Sequence, residues 1–479
     1  MSFPHPSRTA PKPGPVAAPG GRGIVLGVMC AGMFLVQLDV TVVNVALPHI
    51  GADLHTGLAG LQWVVDSYTI VLAACLLAAG VVGDRLGHRT IAVAGLALFG
   101  ASSLLCGLAP AIGWLVAARA VQGLAAASLL PSTLAIVTRA FPERAEQARA
   151  LGIWAGVSAL ALPTGPVVGG LLVTLAGWRA VFLINLPVVV AAVVLTLRRV
   201  SRDEPDRERR LDPLGVATAA LALTALTSCA IALGRLGPSV WTAAAAVAAV
   251  VAAAALAWWE RRAPEPMFPP SLLSRPGFAG ANAVAAAMNF VGIGMVFVVT
   301  LYLQGVRHHT ALSAGAMLLP LFLPLALCAP FTGRLVARAG PRPPMIAGLA
   351  LGAAGAACLL LVSPGSPYGV LVPALLGLGL GMGLLTASVV AAALRAGPPS
   401  RPGLSSGVNN TARQAGGALG VAVLGAVVQD PSEPMRFTAG LHWAGVLSAL
   451  LWLAAIVVTL RAVRGPGEAG AAGRRQVGR

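Results

Sequence analysis

Three ionisable side chains interrupt long apolar segments of this sequence, and they are the residues best placed to do chemistry. Asp39 lies in LDVTVVN, Asp66 in LQWVVDSYTI and Arg119 in LVAARAVQGL. An ionisable group inside a bilayer costs at least ~2.5 kcal/mol, so it faces the protein interior or a wet cavity and is a candidate functional group. These residues therefore predict a proton or ion pathway through a membrane protein.

Asp39 and Arg119 are predicted to lie at similar depths. Asp39 is about eight residues from the outer end of its helix, or ~12 Å deep, and Arg119 is about seven residues from the outer end of its own, or ~10 Å deep. The cation would stabilise the deprotonated carboxylate until protonation or substrate binding shifts the balance. A static ion pair, or a kink capped by Asp39, is the alternative. Gln122 and Gly123, one turn on, would add a hydrogen-bonding group and close packing.

Asp66 is predicted to be the shallowest of the three, about five residues or ~8 Å from the start of its helix. It is either a second protonation or cation-attracting site, or a solvent-exposed vestibule residue. Asp39 and Asp66 are the only carboxylates within the predicted spans, which argues against a substrate pocket built on many acidic residues.

The elements that position these residues are predicted to be membrane-spanning helices. Of 479 residues, 57% are hydrophobic and 10% are charged, and the mean hydropathy is +0.83, too apolar for a soluble domain. Runs such as VLAACLLAAGVV lack the alternation of a membrane barrel. The net charge of +17 comes from Arg residues in short loops, which fits membrane topology better than nucleic-acid binding. The six cysteines lie in apolar runs without metal-ligand spacing, so no metal site is expected.

Apolar runs bounded by charges, Pro or Gly predict an all-α polytopic fold with about fourteen spans. They lie near 24–47, 61–82, 90–109, 112–133, 149–173, 179–197, 213–233, 240–259, 277–303, 312–332, 344–363, 368–392, 404–428 and 439–462. The resulting domains are a disordered tail (1–23), a six-helix half (24–197), a charged loop (198–212), two inserted helices (213–259), a linker (260–276), a second six-helix half (277–462) and a tail (463–479).

Basic residues predict the orientation. With the N-terminus in the cytoplasm, 27 of the 33 basic residues fall in cytoplasmic segments, as the positive-inside rule requires. Both termini are then cytoplasmic and the number of spans is even. The longest loop, RRVSRDEPDRERRLDP, carries both signs of charge and is interpreted as a solvated connector.

An internal repeat accompanies this pattern. GVVGDRLGHRTIAVAGLAL, from Gly80, aligns with GRLVARAGPRPPMIAGLAL, from Gly333, at a constant offset of 253 residues. The offset matches Gly80, Arg85, Gly87, Arg89, Gly95, Leu96 and Leu98 to Gly333, Arg338, Gly340, Arg342, Gly348, Leu349 and Leu351. Duplicated halves are what an alternating-access transporter needs, with its substrate site at their interface near the midplane.

Six motifs in order resemble the major facilitator superfamily, and within it the fourteen-span drug:proton antiporters of the EmrB/QacA subfamily. They are LDVTVVNVALP, GDRLGHR, LVAARAVQGLAAA, GPVVGG, GWRAVFLINLP and GLSSGVNNTARQAGGALG, which together cover nearly the whole chain. His88 departs from the family's usual Arg or Lys, and Ala161 and Pro163 stand in a stretch that is often richer in Gly.

The resemblance implies roles for several of these motifs. Arg119 would take part in proton coupling. The glycine-proline motif of span five would mark an exporter, although generic packing is the alternative; it comprises Gly165, Pro166, Gly169 and Gly170. The chemistry of its own residues, an aspartate that can accept bonds at a helix end and arginines that can pair with helix C-termini or acids, predicts that the link after span two holds the inward gate shut, with topogenic charge alone as the alternative; the link comprises Gly83, Asp84, Arg85, Gly87 and Arg89. Possible cavity residues, with a structural role as the alternative, are Asn44, Tyr302, Gln304, Asn409, Asn410, Arg413 and Gln414.

The sequence thus predicts a proton-coupled antiporter that exports lipophilic small molecules, such as drugs or secondary metabolites, across the bacterial inner membrane. No P-loop is present, so the proton gradient is the expected energy source, with no cofactor and no enzymatic step. The expected partners are substrate, protons and lipid, without nucleic acid, and the expected assembly is a monomer. A proton-coupled importer on the same fold is the alternative, and a membrane receptor or enzyme is a more distant one.

Overall fold

A computed structural model describes residues 21–201, 212–264, 266, 270–398, 402–428 and 430–463. Residues 1–20 of the predicted first tail, 202–211 of the charged loop and 464–479 of the last tail lie outside the described residues. Almost all of the described chain is helical.

The helices divide into two sets with two helices between them. The first set is α1 (Arg22–Asp53), α2 (Leu58–Leu86), α3 (His88–Gly107), α4 (Ile112–Ala140), α5 (Arg144–Ala176), α6 (Ala180–Leu183) and α7 (Asn185–Arg199). The helices between the sets are α8 (Pro213–Leu236) and α9 (Val240–Glu260), followed by the short α10 (Pro270–Leu273). The second set is α11 (Pro276–Leu301), α12 (Ala311–Met317), α13 (Leu319–Ala339), α14 (Arg342–Cys358), α15 (Val372–Ala396), α16 (Pro402–Val427) and α17 (Pro434–Ala462).

Within the described residues, 12 helical segments are long and apolar enough to cross a membrane, or 13 if the bent pair α12–α13 is one span. Each of the fourteen predicted spans overlaps a helix, but α16 lies outside this set. Helix α16 has 26 residues and carries Asn409, Asn410, Arg413 and Gln414 near its centre, which lower its hydropathy. The multi-pass helical fold is therefore as predicted, and the exact number of spans stays a prediction.

Several helices extend beyond the predicted spans. Helix α1 begins at Arg22, within the predicted disordered tail, and continues past Pro48 to Asp53. Apolar runs stop where charges or prolines begin, whereas helices continue for as long as their backbone hydrogen bonds can be made. Asp39 consequently lies almost four turns from the end of its helix, further than the eight residues counted to the end of the predicted span.

The internal repeat is visible as matched geometry. Gly87 and Gly340 both have positive φ, 91° and 77°, at the turns that follow α2 and α13. Two residues further on, the Arg89 side chain donates to the carbonyl of Leu197 at 2.7 Å and the Arg342 side chain donates to that of Leu460 at 2.9 Å. Each arginine thereby ties the turn to the last helix of its own set.

The two ends of the bundle differ in how tightly they are closed. We call the end that holds Arg22 and Ala462 the termini end, and the end that holds Asp53 and Pro434 the far end. Near the far end, two segments are buried throughout. They are residues 41–47 of α1 and residues 294–304, which include the end of α11 and the first residues of the turn after it.

Towards the termini end, partly exposed side chains recur at helical spacing on both of these helices. They are Ala31, Phe34 and Gln37 on α1, and Ala286, Phe290 and Ile293 on α11. Because each of the two helices packs against several others of its own set, these stripes face the space between the halves. The side chains that face that space are thus buried near the far end and partly exposed towards the termini end.

Two glutamine side chains connect the halves near the far end. Gln62 of α2 donates to the carbonyls of Val421 and Ala422 on α16, at 3.2 and 3.0 Å. Gln304, which follows α11, donates to the carbonyl of Val45 on α1 at 2.9 Å. Helix α8 packs on both α2 and α16 and covers this seam, while α9 packs mainly on α8 at the periphery.

Candidate functional site

The structure brings Asp39 and Arg119 into direct contact through a hydrogen-bonded ion pair between Oδ2 and Nη1. The relative exposures of the two residues are 0% and 1%. A buried ion pair must recover a large desolvation penalty through good geometry and further hydrogen bonds. The remaining polar atoms of the site supply those bonds.

Gln122 links both members of the pair. Its Nε2 donates to Asp39 Oδ1 at 3.0 Å, and its Oε1 accepts from Arg119 Nη1 at 2.7 Å. The same Nε2 lies 2.9 Å from Ser103 Oγ, which also accepts from Asn185 Nδ2 at 3.2 Å. The network therefore joins α1, α3, α4 and α7, and beyond the pair itself the sequence had indicated only Gln122.

Backbone and aromatic groups hold the Arg119 guanidinium. Its Nε donates to the carbonyl of Val64 at 3.1 Å, and its Cζ lies 4.3 Å from the centroid of the Tyr68 ring. A ring face attracts a cation more strongly when both are desolvated, as they are here. Gly123 makes room for this arrangement, because a side chain there would run into the backbone of Tyr68.

This arrangement can exchange a proton for conformational change. While Asp39 is ionised, the pair is electrically neutral, and both oxygens of the carboxylate accept hydrogen bonds. Protonation of Asp39 would leave Arg119 as an uncompensated buried cation, so the network would have to loosen or rearrange. The geometry thus suits coupling, and the role of the pair in proton transport stays a prediction.

Asp66 differs from the vestibule residue that was one of its predicted possibilities. Its relative exposure is 0%, and neither carboxylate oxygen has a hydrogen-bond partner among the described residues. It lies one turn beyond Gln62 on α2, the helix that packs against α16 and α8, and packing inside the bundle removes it from water. The vestibule interpretation is therefore wrong for this conformation. A carboxyl in such a place is far less costly neutral than ionised.

The glycine-proline motif of α5 permits close approach of three helices. A side chain at Gly165 or Gly169 would collide with Thr41 and Val42 of α1. A side chain at Gly170 would collide with the backbone at Leu312 of α12, and one at Gly315 would collide with the carbonyl of Pro166. The motif consequently packs α5 against the other half near the far end, as well as against α1.

The motif after span two forms the turn between α2 and α3. Arg85 lies in the last turn of α2, and Asp84 Oδ1 is 3.0 Å from Nε2 of His88. Gly83 leaves room for the His88 ring. Histidine at position 88, which departs from the family pattern, thus forms a pair with the motif's own aspartate.

The predicted cavity residues separate into buried and accessible ones. Asn44 donates to the carbonyl of Val40 in its own helix, Tyr302 donates to that of Ser363, and Asn409 donates to the side-chain oxygen of Asn282. Together with Gln304, these side chains are 8% exposed or less, so in this conformation they stabilise helix packing. The partly exposed members of the set are Asn410, Arg413 and Gln414 of α16.

Three residues of these networks were not anticipated. Gln62, Ser103 and Asn185 are polar residues in apolar helices, and that is a usable signal. Their partners lie on helices distant in the sequence, so the signal could not show which contacts they make.

Two sets of helices that share a duplicated turn, together with an ion pair buried among the helices of one set, are the architecture expected of a polytopic membrane transporter. Comparison with known proteins agrees. The chain is 38% identical over 401 residues to the multidrug resistance protein Stp of Mycobacterium tuberculosis, an alignment that covers 83% of this chain and 74% of Stp. It is 33% identical over 412 residues to the tetracenomycin C resistance and export protein of Streptomyces glaucescens, covering 84% and 74% of the two chains.

Among solved structures, a bacterial homologue of the human lysosomal transporter Spinster, in an inward-facing and unoccupied conformation, has the same fold. The TM-score is 0.64 at 18% identity, covering 94% of this chain and all of the other. The family model described as Major Facilitator Superfamily matches residues 29–421. The chain therefore belongs to the Major Facilitator Superfamily, and its role is transport.

Proposed function

We propose that this protein exports small lipophilic molecules from the cytoplasm in exchange for protons, by alternating access. The observation that carries the proposal is the Asp39–Arg119 pair, which lies fully buried between helices of one half with Gln122 bonded to both members. An intramembrane carboxylate held by a single cation is well suited to gain and lose one proton per cycle.

In the proposed cycle, a proton from outside binds Asp39 and weakens its pairing with Arg119, which favours substrate release. Loss of that proton towards the cytoplasm restores the pair. Asp66, which is buried and has no hydrogen-bond partner in the described part of the chain, is the second candidate for proton binding. Either component of the gradient could drive the exchange, because one charge crossing 100 mV gains ~2.3 kcal/mol.

Export and the kind of substrate are supported by the relatives. The two similar proteins described above are named for multidrug resistance and for tetracenomycin C resistance and export. The close packing of α5 across the halves agrees with an exporter in which the far end is sealed while the termini end is accessible.

Membrane placement completes the proposal. We infer that the termini end faces the cytoplasm, because the loops at that end carry most of the basic residues. We further propose that the protein is a monomer in the bacterial inner membrane and a fourteen-span member of the drug:proton antiporters. In that subfamily assignment, α16 counts as a span in spite of its polar centre.

A susceptibility panel in a pump-deficient bacterial host tests the proposal. Wild type is expected to raise resistance to some toxic compounds, and Asp39→Asn is expected to abolish that resistance, because a neutral side chain cannot exchange a proton. Everted vesicles with the wild-type protein should likewise accumulate the same compounds when a proton gradient is applied, and vesicles with Asp39→Asn should not.

Asp53→Asn is the matched control. Asp53 also pairs with an arginine from the same half, Arg179, at 2.6 Å, but the side chains of Arg179 and Asp53 are 41% and 47% exposed at the far end. Exposed pairs contribute little, so this variant should keep the wild-type resistance. Resistance that survives Asp39→Asn would remove Asp39 from the coupling step. A wild-type protein that neither protects cells nor accumulates any compound in vesicles would refute export.

A further inference from the structure

Arg413 is a second intramembrane cation, and none of the described residues gives it the counter-charge that Arg119 has. It is the twelfth of the 26 residues of α16, near the midpoint of that helix. Among the described residues it forms no hydrogen bond and no ion pair, and its Nε is buried without an acceptor. Its side chain is partly exposed, so its terminal amino groups reach accessible space.

The helices of the half that contains Arg413 offer it no carboxylate. None of the helices α11 to α17 contains Asp or Glu. In the other half, Asp39 is already paired with Arg119. The remaining intramembrane carboxylate is Asp66 on α2, which packs against α16.

The register of α2 and α16 shows why Asp66 does not meet Arg413. The two helices run antiparallel, and Gln62 is bonded opposite Val421 and Ala422. From that level Asp66 lies four residues, or ~6 Å, towards the termini end, and Arg413 lies eight residues, or ~12 Å, in the same direction. Side chains lean towards the N-terminus of their helix, which points these two away from each other.

The surroundings of Arg413 combine hydrogen-bonding groups with apolar surface. Asn410 and Gln414, three residues before and one after it, are also partly exposed. On α11, the facing helix, Ile293 packs over Gly417, which lies one turn from Arg413 on α16. Phe290 precedes Ile293 by one turn of α11. An exposed arginine does not face lipid at this depth, so it faces the space between the halves.

We propose that Arg413 is a binding site for the anionic group of the transported molecule, so that the preferred substrates are apolar compounds bearing one acidic group such as a carboxylate. The proposal rests on the export function proposed above and specifies its substrate class. The guanidinium would bind a carboxylate through two parallel hydrogen bonds, Asn410 and Gln414 would offer further amide contacts, and the apolar stripes of α1 and α11 would receive the body of the molecule.

Binding of three probes of similar shape tests this inference without any transport step. The probes are the naphthoate anion, neutral naphthamide and the naphthylmethylammonium cation. Dissociation constants are measured by calorimetry on the purified full-length protein in detergent at neutral pH, with protein-free micelles as the blank. The wild type is expected to bind naphthoate about tenfold or more tightly than naphthamide, and the cation most weakly.

Three variants test whether Arg413 causes the preference for naphthoate over naphthamide. Arg413→Gln should bind naphthoate and naphthamide equally, while Arg413→Lys should keep part of the preference. Arg436→Gln, at an arginine whose side chain is 69% exposed near the far end, is the matched control and should behave as wild type. A fourth variant, Asp66→Asn, should leave the preference in place or strengthen it.

Two results would overturn the proposal. One is a wild-type protein that binds naphthoate no better than naphthamide; if a preference then appears in Asp66→Asn, Asp66 is the counter-charge of Arg413. The other is an Arg413→Gln protein that retains the full preference. Because calorimetry does not depend on export, either result leaves the susceptibility panel to decide the proposed function separately.

Discussion

At the residue scale, the Asp39–Arg119 pair is balanced by its partners rather than by water. Both side chains are buried, and Gln122 bonds to each. In such a setting the loss of one partner is worse than the loss of both, because a lone buried charge remains. The pair should therefore respond to mutation in a strongly non-additive way.

Arg119→Leu is expected to destabilise the protein by about 3–5 kcal/mol, because Asp39 is left as an unpaired buried carboxylate. The double variant Asp39→Asn, Arg119→Leu should recover much of that loss, since the amide introduced at position 39 is neutral and can still bond to Gln122. The measurement is the apparent melting temperature in detergent, followed by tryptophan fluorescence. A double variant at least as unstable as Arg119→Leu would show that the pair does not act as a unit.

The sequence could predict that Asp39 and Arg119 meet, because both are charged and their distances from span ends are similar. It could not predict Ser103 and Asn185, since helix periodicity does not show which neighbouring helix a polar face touches. The vestibule alternative for Asp66 was wrong for a related reason. Its position along α2 suggested a shallow site, but packing inside the helix bundle buries it completely.

At the element scale, the far-end closure depends on helices that approach without side chains between them. Gly170 of α5 and Gly315 of α12 each leave room for the backbone of the other helix. The glutamines Gln62 and Gln304 add hydrogen bonds across the same end. Closure there combines close packing with a small number of polar contacts.

Gly170→Val is expected to separate α5 from α12 and to shift the protein towards states that are open at the far end. A cysteine placed at Val45, which is fully buried, reports this opening through its reaction with a membrane-impermeant maleimide added outside the cell. The native cysteines are replaced first. Labelling should be faster in Gly170→Val than in the parent, and transport should fall.

Gly152→Val is the control on the same helix, because nothing lies within 4 Å of a side chain added at Gly152. Labelling at position 45 should then match that of the parent. Equal labelling of the Gly170→Val and Gly152→Val proteins would show that the glycine contact does not hold the far end closed.

Most helices were predictable because ~20 apolar residues are needed to cross the hydrocarbon core and the chain supplies such runs repeatedly. The interruptions within the predicted spans could not be predicted from these runs. The tenth predicted span is bent by 42° between α12 and α13, and α16 carries its polar residues at its centre. Both departures lie in helices that face the other half, where packing and function override the simple apolar pattern.

At the scale of the whole molecule, the repeat found in the sequence has a structural counterpart in each half. Arg89 and Arg342, 253 residues apart, each bond to a carbonyl near the end of the last helix of their half. The repeat places the two inserted helices between the halves along the chain, but it could not show where α8 and α9 pack, because they have no counterpart in it. The structure places α8 over the seam between α2 and α16.

The glycines that begin these two turns give the most direct test of the duplication. Gly87 has φ 91° and ψ 130°, and Gly340 has φ 77° and ψ 175°, a region essentially reserved for glycine. Alanine at either position is expected to cost about 1–3 kcal/mol of stability. Because the turns lie in different halves, the two losses should add in the double variant.

Gly333→Ala is the control for this comparison. Gly333 belongs to the same repeat and has open space around a side chain added there, but its backbone is helical. Alanine suits a helix better than glycine does, so this variant should be as stable as wild type or slightly more so.

Apparent melting temperatures of the four variants decide whether the two turns are equivalent. Equal losses for Gly87→Ala and Gly340→Ala, additive in the double variant, would show that both halves use the same strained turn. A loss in only one variant would mean that the duplicated sequence no longer has a duplicated structural role.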